Sequence, residues 1–141
     1  MTRPRLILDL CCLLLIFLLH SGCAPDQGQR FVPTATDARQ AVETALSTWK
    51  SGTKHGTISS SSSKVKIDVY DARWHDEKKK LESYRLIKEI TGKPLPQFEV
   101  QMKLQGKPEE TTIYLVNGID PLQVYRESDF NKANGVETKG M

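Results

Sequence analysis

Phe98, Val100, Met102 and Leu104 alternate strictly with Glu99, Gln101 and Lys103. Successive side chains of a strand point to opposite faces, so this run is a strand with one apolar and one polar face. An apolar sheet face in water has to be covered, and that requirement constrains the whole chain. Val65, Ile67 and Val69 repeat the pattern against Lys66, Asp68 and Tyr70. Leu81–Ile90 reads as a strand returning from it, with Tyr84, Leu86 and Ile90 in one phase and Lys88 out of phase; the same stretch also fits a short helix. Thr111–Asn117 is rich in β-formers, and Leu122, Val124 and Tyr125 make a last strand ending at Arg126. Gly92 with Pro94 and Pro96, then Gly106 with Pro108, then Asn117-Gly118 with Asp120-Pro121, punctuate the strands as turns.

The cover is Thr36–Ser51. Ala38, Ala41, Val42, Ala45, Leu46 and Trp49 form one helical stripe, with Arg39, Glu43 and Lys50 opposite. Thr36 or Asp37 suits the N-cap, and Gly52 the end. A stripe of mostly small residues lets the helix lie close to a sheet, with Trp49 closing the core; truncating a buried Trp49 to Ala costs about 3–5 kcal/mol. The expected fold is α+β: one N-terminal helix packed on a curved antiparallel sheet of four to five strands, over residues 36–130. Ser51–Ser63, with its serine run, reads as a loop holding a solvated His55, Ala72–Lys80 as a polar turn, and residues 131–141 as a loose tail.

The chain begins with an address. Arg3 and Arg5 precede Leu10–Leu19, an uncharged run that at about 1.5 Å per residue spans about half of a bilayer's hydrocarbon. His20-Ser21-Gly22-Cys23 follows, then polar sequence. This is a signal-peptide pattern over residues 1–22 rather than a permanent span. The Ser-Gly-Cys ending resembles a bacterial lipobox, with His20 where a branched apolar residue is usual. That resemblance implies that Cys23 becomes the first mature residue and is lipidated, and that the membrane is reached through this anchor. Ordinary cleavage near Ala24, leaving a soluble secreted protein, is the alternative. Residues 23–35 read as a flexible tether. Removing Arg3, Arg5 and Asp9 with the leader takes the net charge from +3 to 18 − 16 = +2. Cys11 and Cys12 leave too, so the mature chain has one cysteine and no internal disulfide.

Several chemistries are excluded by composition. A net charge this small, with no basic stripe interleaved with aromatics, does not suit nucleic acid. No nucleophile elbow, paired-histidine motif or glycine-rich phosphate loop is present, and no cofactor is called for. His55 reads as a solvated loop histidine, and His75 and Asp76 are adjacent and project in different directions from a turn, so no metal site is expected. The one dense group of functional side chains is Asp71, Arg73, Trp74, His75, Asp76 and Glu77. Asp71 shares the parity of Val65, Ile67 and Val69; desolvated beside Trp74, its pKa would rise and it would act as a general base. The alternative is a polar turn with Trp74 packed on the helix. Arg126 has the parity of Leu122 and Val124, so it needs a carboxylate (Asp68, Asp71 or Glu127) in an ion pair, or it clamps an anionic ligand. Lys78-Lys79-Lys80 reads as a solvated face, or as a contact for anionic lipid headgroups.

The order DVYDARW, KLESYRL, FEVQMKL, TIYLV and PLQVYRE resembles a small cystatin-like or nuclear-transport-factor-2-like domain of bacterial envelope proteins, over residues 36–130. The resemblance implies that a Trp after the first strand (here Trp74) and a Leu-x-x-Tyr-x-aliphatic stretch (here Leu81, Tyr84 and Leu86) recur. Fuller members carry two or three helices before the sheet, so a single helix implies a shallower pocket. The fold hosts isomerases and non-catalytic binding modules alike. Three functions follow: a lipid-anchored envelope module binding a small molecule or an envelope protein, with Trp74, Tyr84, Tyr114 and Arg126 as ligand-binding candidates; a small isomerase-like enzyme using Asp71; or an assembly subunit pairing through sheet edges.

Overall fold

Thr34 starts the first helix. Its hydroxyl accepts from the Asp37 amide at 3.1 Å, the bond of an N-cap, and donates to Asp37 Oδ2 at 2.7 Å. In the computed structural model, which describes residues 31–59 and 65–136, helix α1 runs Ala35–Lys50. The cap is therefore Thr34, not Thr36 or Asp37. Ala35 belongs to the helix, and Pro33, placed in the tether by its sequence, is buried. The leader, Cys23 and most of the tether lie outside the described residues.

The strands are β1 (Ile58–Ser59), β2 (Lys66–Tyr70), β3 (Leu81–Ile90), β4 (Gln97–Leu104), β5 (Glu109–Asn117) and β6 (Leu122–Arg126). Two short helices join them, α2 (Ala72–His75) and α3 (Glu127–Ala133). The architecture is a helix packed on one curled sheet, in the α+β class. The sheet differs from the expected one in two respects. It has six strands in the order β1-β2-β6-β5-β4-β3, and it is mixed, because β2 pairs parallel with β6. Alternation reveals which face a strand buries but not which neighbour it takes. So β3 does not return along β2. The chain crosses from β2 to the far edge, runs back through the antiparallel meander β3-β4-β5-β6, and ends beside β2.

The core follows the parity of the sequence. Ile67, Val69, Phe98, Val100, Met102, Tyr114, Val116, Leu122 and Val124 are buried under the α1 stripe of Ala38, Ala41, Val42, Ala45, Leu46 and Trp49. The phase break in β3 is a pair of register shifts, between Leu81 and Ser83 and between Leu86 and Lys88. An extra residue turns the strand over, so Leu86 faces the core while Lys88 lies outside, 3.3 Å from Glu99.

Two loop assignments also change. Ile58 pairs with Ile67 as a short edge strand, giving part of the serine-rich segment a place in the sheet. Asn131–Ala133, expected in the loose tail, close α3. That helix packs against β5 and β6, where Phe130 meets Tyr125 edge-on at 5.2 Å, and Tyr125 stacks on Tyr70 at 4.5 Å. No helix among the described residues is long and apolar enough to cross a membrane.

Candidate functional site

Asp71 directly follows β2, is buried, and caps α2 by accepting from the Arg73 amide at 2.9 Å. The Arg73 guanidinium folds back on the same carboxylate, Nε to Oδ1 at 3.0 Å and NH2 to Oδ2 at 2.8 Å. From β5 the Tyr114 hydroxyl donates to Oδ2 at 2.5 Å. Four donors thus occupy the roughly four lone-pair positions of one carboxylate. Arg73 NH1 also bonds Glu110. Asp71 is 1% exposed and Arg73 8%.

These contacts reverse the expected chemistry of Asp71. Burial alone pushes its carboxyl up. The hydrogen bonds and charge of Arg73, joined by the Tyr114 hydroxyl, outweigh burial and hold it below its ordinary 3.8. Burial likewise opposes the charge on Arg73, and the bonds to Asp71 overcome it, so Arg73 stays a cation. Tyr114 moves the other way: burial and then the Asp71 charge push its hydroxyl well above 10.0, keeping the phenol neutral. An ionised carboxylate with every lone pair engaged and no solvent access is an anchor, not a base.

Arg126 forms the structural pair. It binds Asp129 through both oxygens, at 2.6 and 2.9 Å, and its Nε lies 3.9 Å from Asp71. Asp129 was not among the carboxylates its sequence suggested; the i,i+3 spacing that begins α3 is the signal that names it. Asp129 also accepts from the Ala72 amide at 3.0 Å, tying α3 to the start of α2. Asp68 instead accepts from the Thr57 hydroxyl at 2.7 Å.

The candidates Trp74, Tyr84, Tyr114 and Arg126 do not share a pocket. Tyr114 is inside the ion network. Tyr84 is half-buried, its hydroxyl 3.4 Å from the Glu43 carbonyl, and burial followed by the charge of Glu43 raises its pKa. Tyr84 lines a shallow polar cleft with Ser83, Arg85, Gln101 and Glu109, and Trp74 lines a different, open one of about 410 Å³ at the C-terminal end of α1. Its indole stacks on Trp49, ring centroids 5.7 Å apart and planes 13° apart. Both indole N–H groups are spent on backbone, Trp49 on the Lys79 carbonyl at 3.1 Å and Trp74 on the Thr53 carbonyl at 3.0 Å. They pin the loops that wall the cleft.

His55 and His75 complete that wall. His55 sets its edge against Trp74 at 5.6 Å and lies against His75 with ring centroids 3.4 Å apart. His55 is half-buried rather than solvated, its Nε2 2.5 Å from the Val69 carbonyl. Lys54, Lys79, Lys80, Asp76 and Glu77 line the rim. Lys79 faces Asp76 at 3.6 Å and Lys54 faces Glu77 at 4.0 Å. Neither histidine was legible as half of a pair, because they lie on separate segments that only the fold of α2 against the 51–57 loop brings together.

Comparison of the chain with known protein families, with curated proteins and with solved structures finds no match.

Proposed function

We propose that the protein is a non-catalytic binding module of the bacterial cell envelope, anchored by lipid at Cys23, whose cleft of Trp49, Trp74, His55 and His75 takes a small ligand. The observation that carries this reading is the convergence of four rings from three separate segments on one open cleft. Its volume is in the range of small-molecule sites, and its lining combines apolar ring surface with a few polar groups. The imidazole nitrogens other than His55 Nε2 and the Lys80 ammonium favour a partly planar ligand carrying an anionic group.

Two further observations support the reading. The saturated, buried Asp71 leaves the general-base alternative without a base. The sheet edges suit assembly poorly, since β1 is two residues long and β3 is broken by two bulges and carries Glu82, Arg85, Lys88 and Glu89. The position of the cleft also suits a tethered protein. The described chain enters at the N-terminal end of α1, and the cleft lies at the other end of this 16-residue helix, roughly 24 Å away.

NMR on the full-length protein in detergent, observing the histidine ring resonances during titration with simple aromatic carboxylates, tests this. Compounds that bind are expected to shift the ring resonances of His55 and His75. Binding that leaves both rings unmoved, or no binding at all, refutes the assignment of the cleft.

A further inference from the structure

We infer that the domain rests on the bilayer by the end at which the described chain enters, putting Phe31 and Ile119 into the boundary between headgroups and acyl chains and holding the aromatic cleft outward. The inference rests on the reading of Cys23 as the lipid anchor and gives the anchored domain its orientation.

Exposure is the first observation. Phe31 is 64% exposed and Ile119 53% exposed, two of the three most exposed large apolar side chains among the described residues. The Gly118 amide donates to the Phe31 carbonyl at 2.8 Å, so the turn that carries Ile119 is bonded to the segment that carries Phe31. Beside them opens a hollow of about 220 Å³, walled mostly by Val32, Pro33, Ala41, Val65, Ile119 and Leu122. Asp37, on its polar edge, is already engaged with Thr34. Exposed apolar side chains joined to an apolar hollow make a patch of the kind that marks a contact with a partner or a membrane.

Topology gathers this patch at one end of the fold. Helix α1 begins here, β2 and β6 run parallel from here with Ile67 beside Leu122, and β5 ends here at Asn117. The cleft lies at the other end of α1, with Lys54, Lys79 and Lys80 on its rim, roughly 24 Å away. One flat surface cannot take both ends at once. A headgroup contact through Lys78-Lys79-Lys80 and an apolar contact through Phe31 and Ile119 are therefore alternatives.

The length of chain before Phe31 selects between them. Eight residues separate it from Cys23, and they span at most about 28 Å. A diacylglycerol on Cys23 keeps the patch within that distance of the bilayer. Two apolar side chains are too little to hold a free domain on a membrane, where binding scales with the apolar area inserted. On a tethered domain the surface is presented at an effective concentration on the order of millimolar, and a weak contact is enough to set the orientation.

Full-length protein is reconstituted into phosphatidylcholine vesicles with and without bromine on the acyl chains, since bromine quenches indole emission on contact. Both native tryptophans line the distant cleft, so the parent protein is expected to emit equally in the two. Phe31→Trp and Ile119→Trp each add an indole to the patch, and the added emission is expected to be lost in brominated vesicles. Combining Phe31→Ser with Ile119→Trp should lessen that loss, because both side chains hold the contact. Urea midpoints matching the parent's check that each variant folds. Added emission that is equal in the two vesicles overturns the inference. So does quenching of the parent, which would put the lysine end on the bilayer. Vesicle flotation separates the two readings. A parent that floats with unquenched added indoles keeps the anchor and refutes the orientation, whereas a parent that fails to float refutes the anchor at Cys23 and the orientation with it.

Discussion

Tyr114 donates its hydroxyl hydrogen to Asp71 at 2.5 Å across 43 residues of sequence, joining the end of β2 to the middle of β5. The contact closes a buried group of opposite charges whose members depend on one another. Removing one partner strands another in a medium that solvates it poorly. Asp71→Ala, which leaves Arg73 with the half-exposed Glu110 as its carboxylate and the Tyr114 hydroxyl at 3.2 Å, is expected to cost about 3–5 kcal/mol. Tyr114→Phe, which removes one donor of four, is expected to cost about 1–3 kcal/mol. Urea unfolding of the two single variants and the double variant measures the coupling. The double variant should lose less than the sum of the singles.

The same residues set two limits of pH stability. Asp71 has a folded pKa below its ordinary value, so its contribution is complete above the unfolded value of about 4 and is lost as pH falls through the folded one. Tyr114 has a folded pKa above 10.0, so its contribution is complete below about 10 and is lost as pH rises beyond it. Urea midpoints are expected to fall on both sides, with Asp71→Asn flattening the acid limb and Tyr114→Phe the alkaline limb. Unchanged limbs in both variants would contradict the assignment.

Sequence pattern reached the layers of this fold and missed its connections. The alternation in 98–104 and the stripe in 38–49 specify buried faces, because each depends on a local period. The parallel pairing of Ile67 with Leu122 has no local signature, since it joins strands that are far apart in the chain. Lys88 marked the bulge in β3 by its wrong phase, yet only the register shows which residue turns over. Asp71 and Arg126 were legible as inward polar residues from their parity. Their partners Arg73, Tyr114 and Asp129 were not, because an ion network is fixed by three-dimensional approach and not by spacing. His55 and His75 illustrate the same limit, each bland alone and informative only as a pair.

The Trp49–Trp74 stack has an optical consequence. Two indoles with centroids 5.7 Å apart and planes 13° apart couple electronically, and each also ties a loop through its N–H. Trp74→Phe and Trp49→Phe are each expected to abolish the coupled near-ultraviolet dichroism. Trp49, buried in the α1 stripe, should cost more stability than a surface substitution, about 3–5 kcal/mol when cut to Ala. Thermal melts followed at two wavelengths read both effects.

Glycine positions separate backbone strain from crowding. Gly118 has φ +77°, and a Cβ there would sit 2.7 Å from the Pro121 carbonyl oxygen, while Gly106 has φ +71° with open space around it. The Gly118 amide also donates to the Phe31 carbonyl at 2.8 Å, holding the start of the described chain on the β5–β6 turn. Gly106→Ala is expected to cost about 1–2 kcal/mol from the left-handed conformation alone. Gly118→Ala should cost measurably more, because the carbonyl has to move as well. Equal losses in chemical unfolding would show that the turn yields freely.

Cys23 carries the anchor in the proposed function, and its test is independent of the cleft. A thioether-linked diacylglycerol supplies two acyl chains, and two membrane signals are what stable anchoring takes. Cys23→Ser removes the acceptor sulfur and leaves the sequence of the helix, the sheet and the cleft unchanged. The substituted protein is expected to leave the membrane fraction and to keep its urea midpoint and its tryptophan dichroism. Metabolic labelling with a tagged fatty acid should mark the unsubstituted protein and not the variant. Retention of the Ser variant in membranes, or labelling of both proteins, would replace the lipid with another mode of attachment while leaving the reading of the cleft intact.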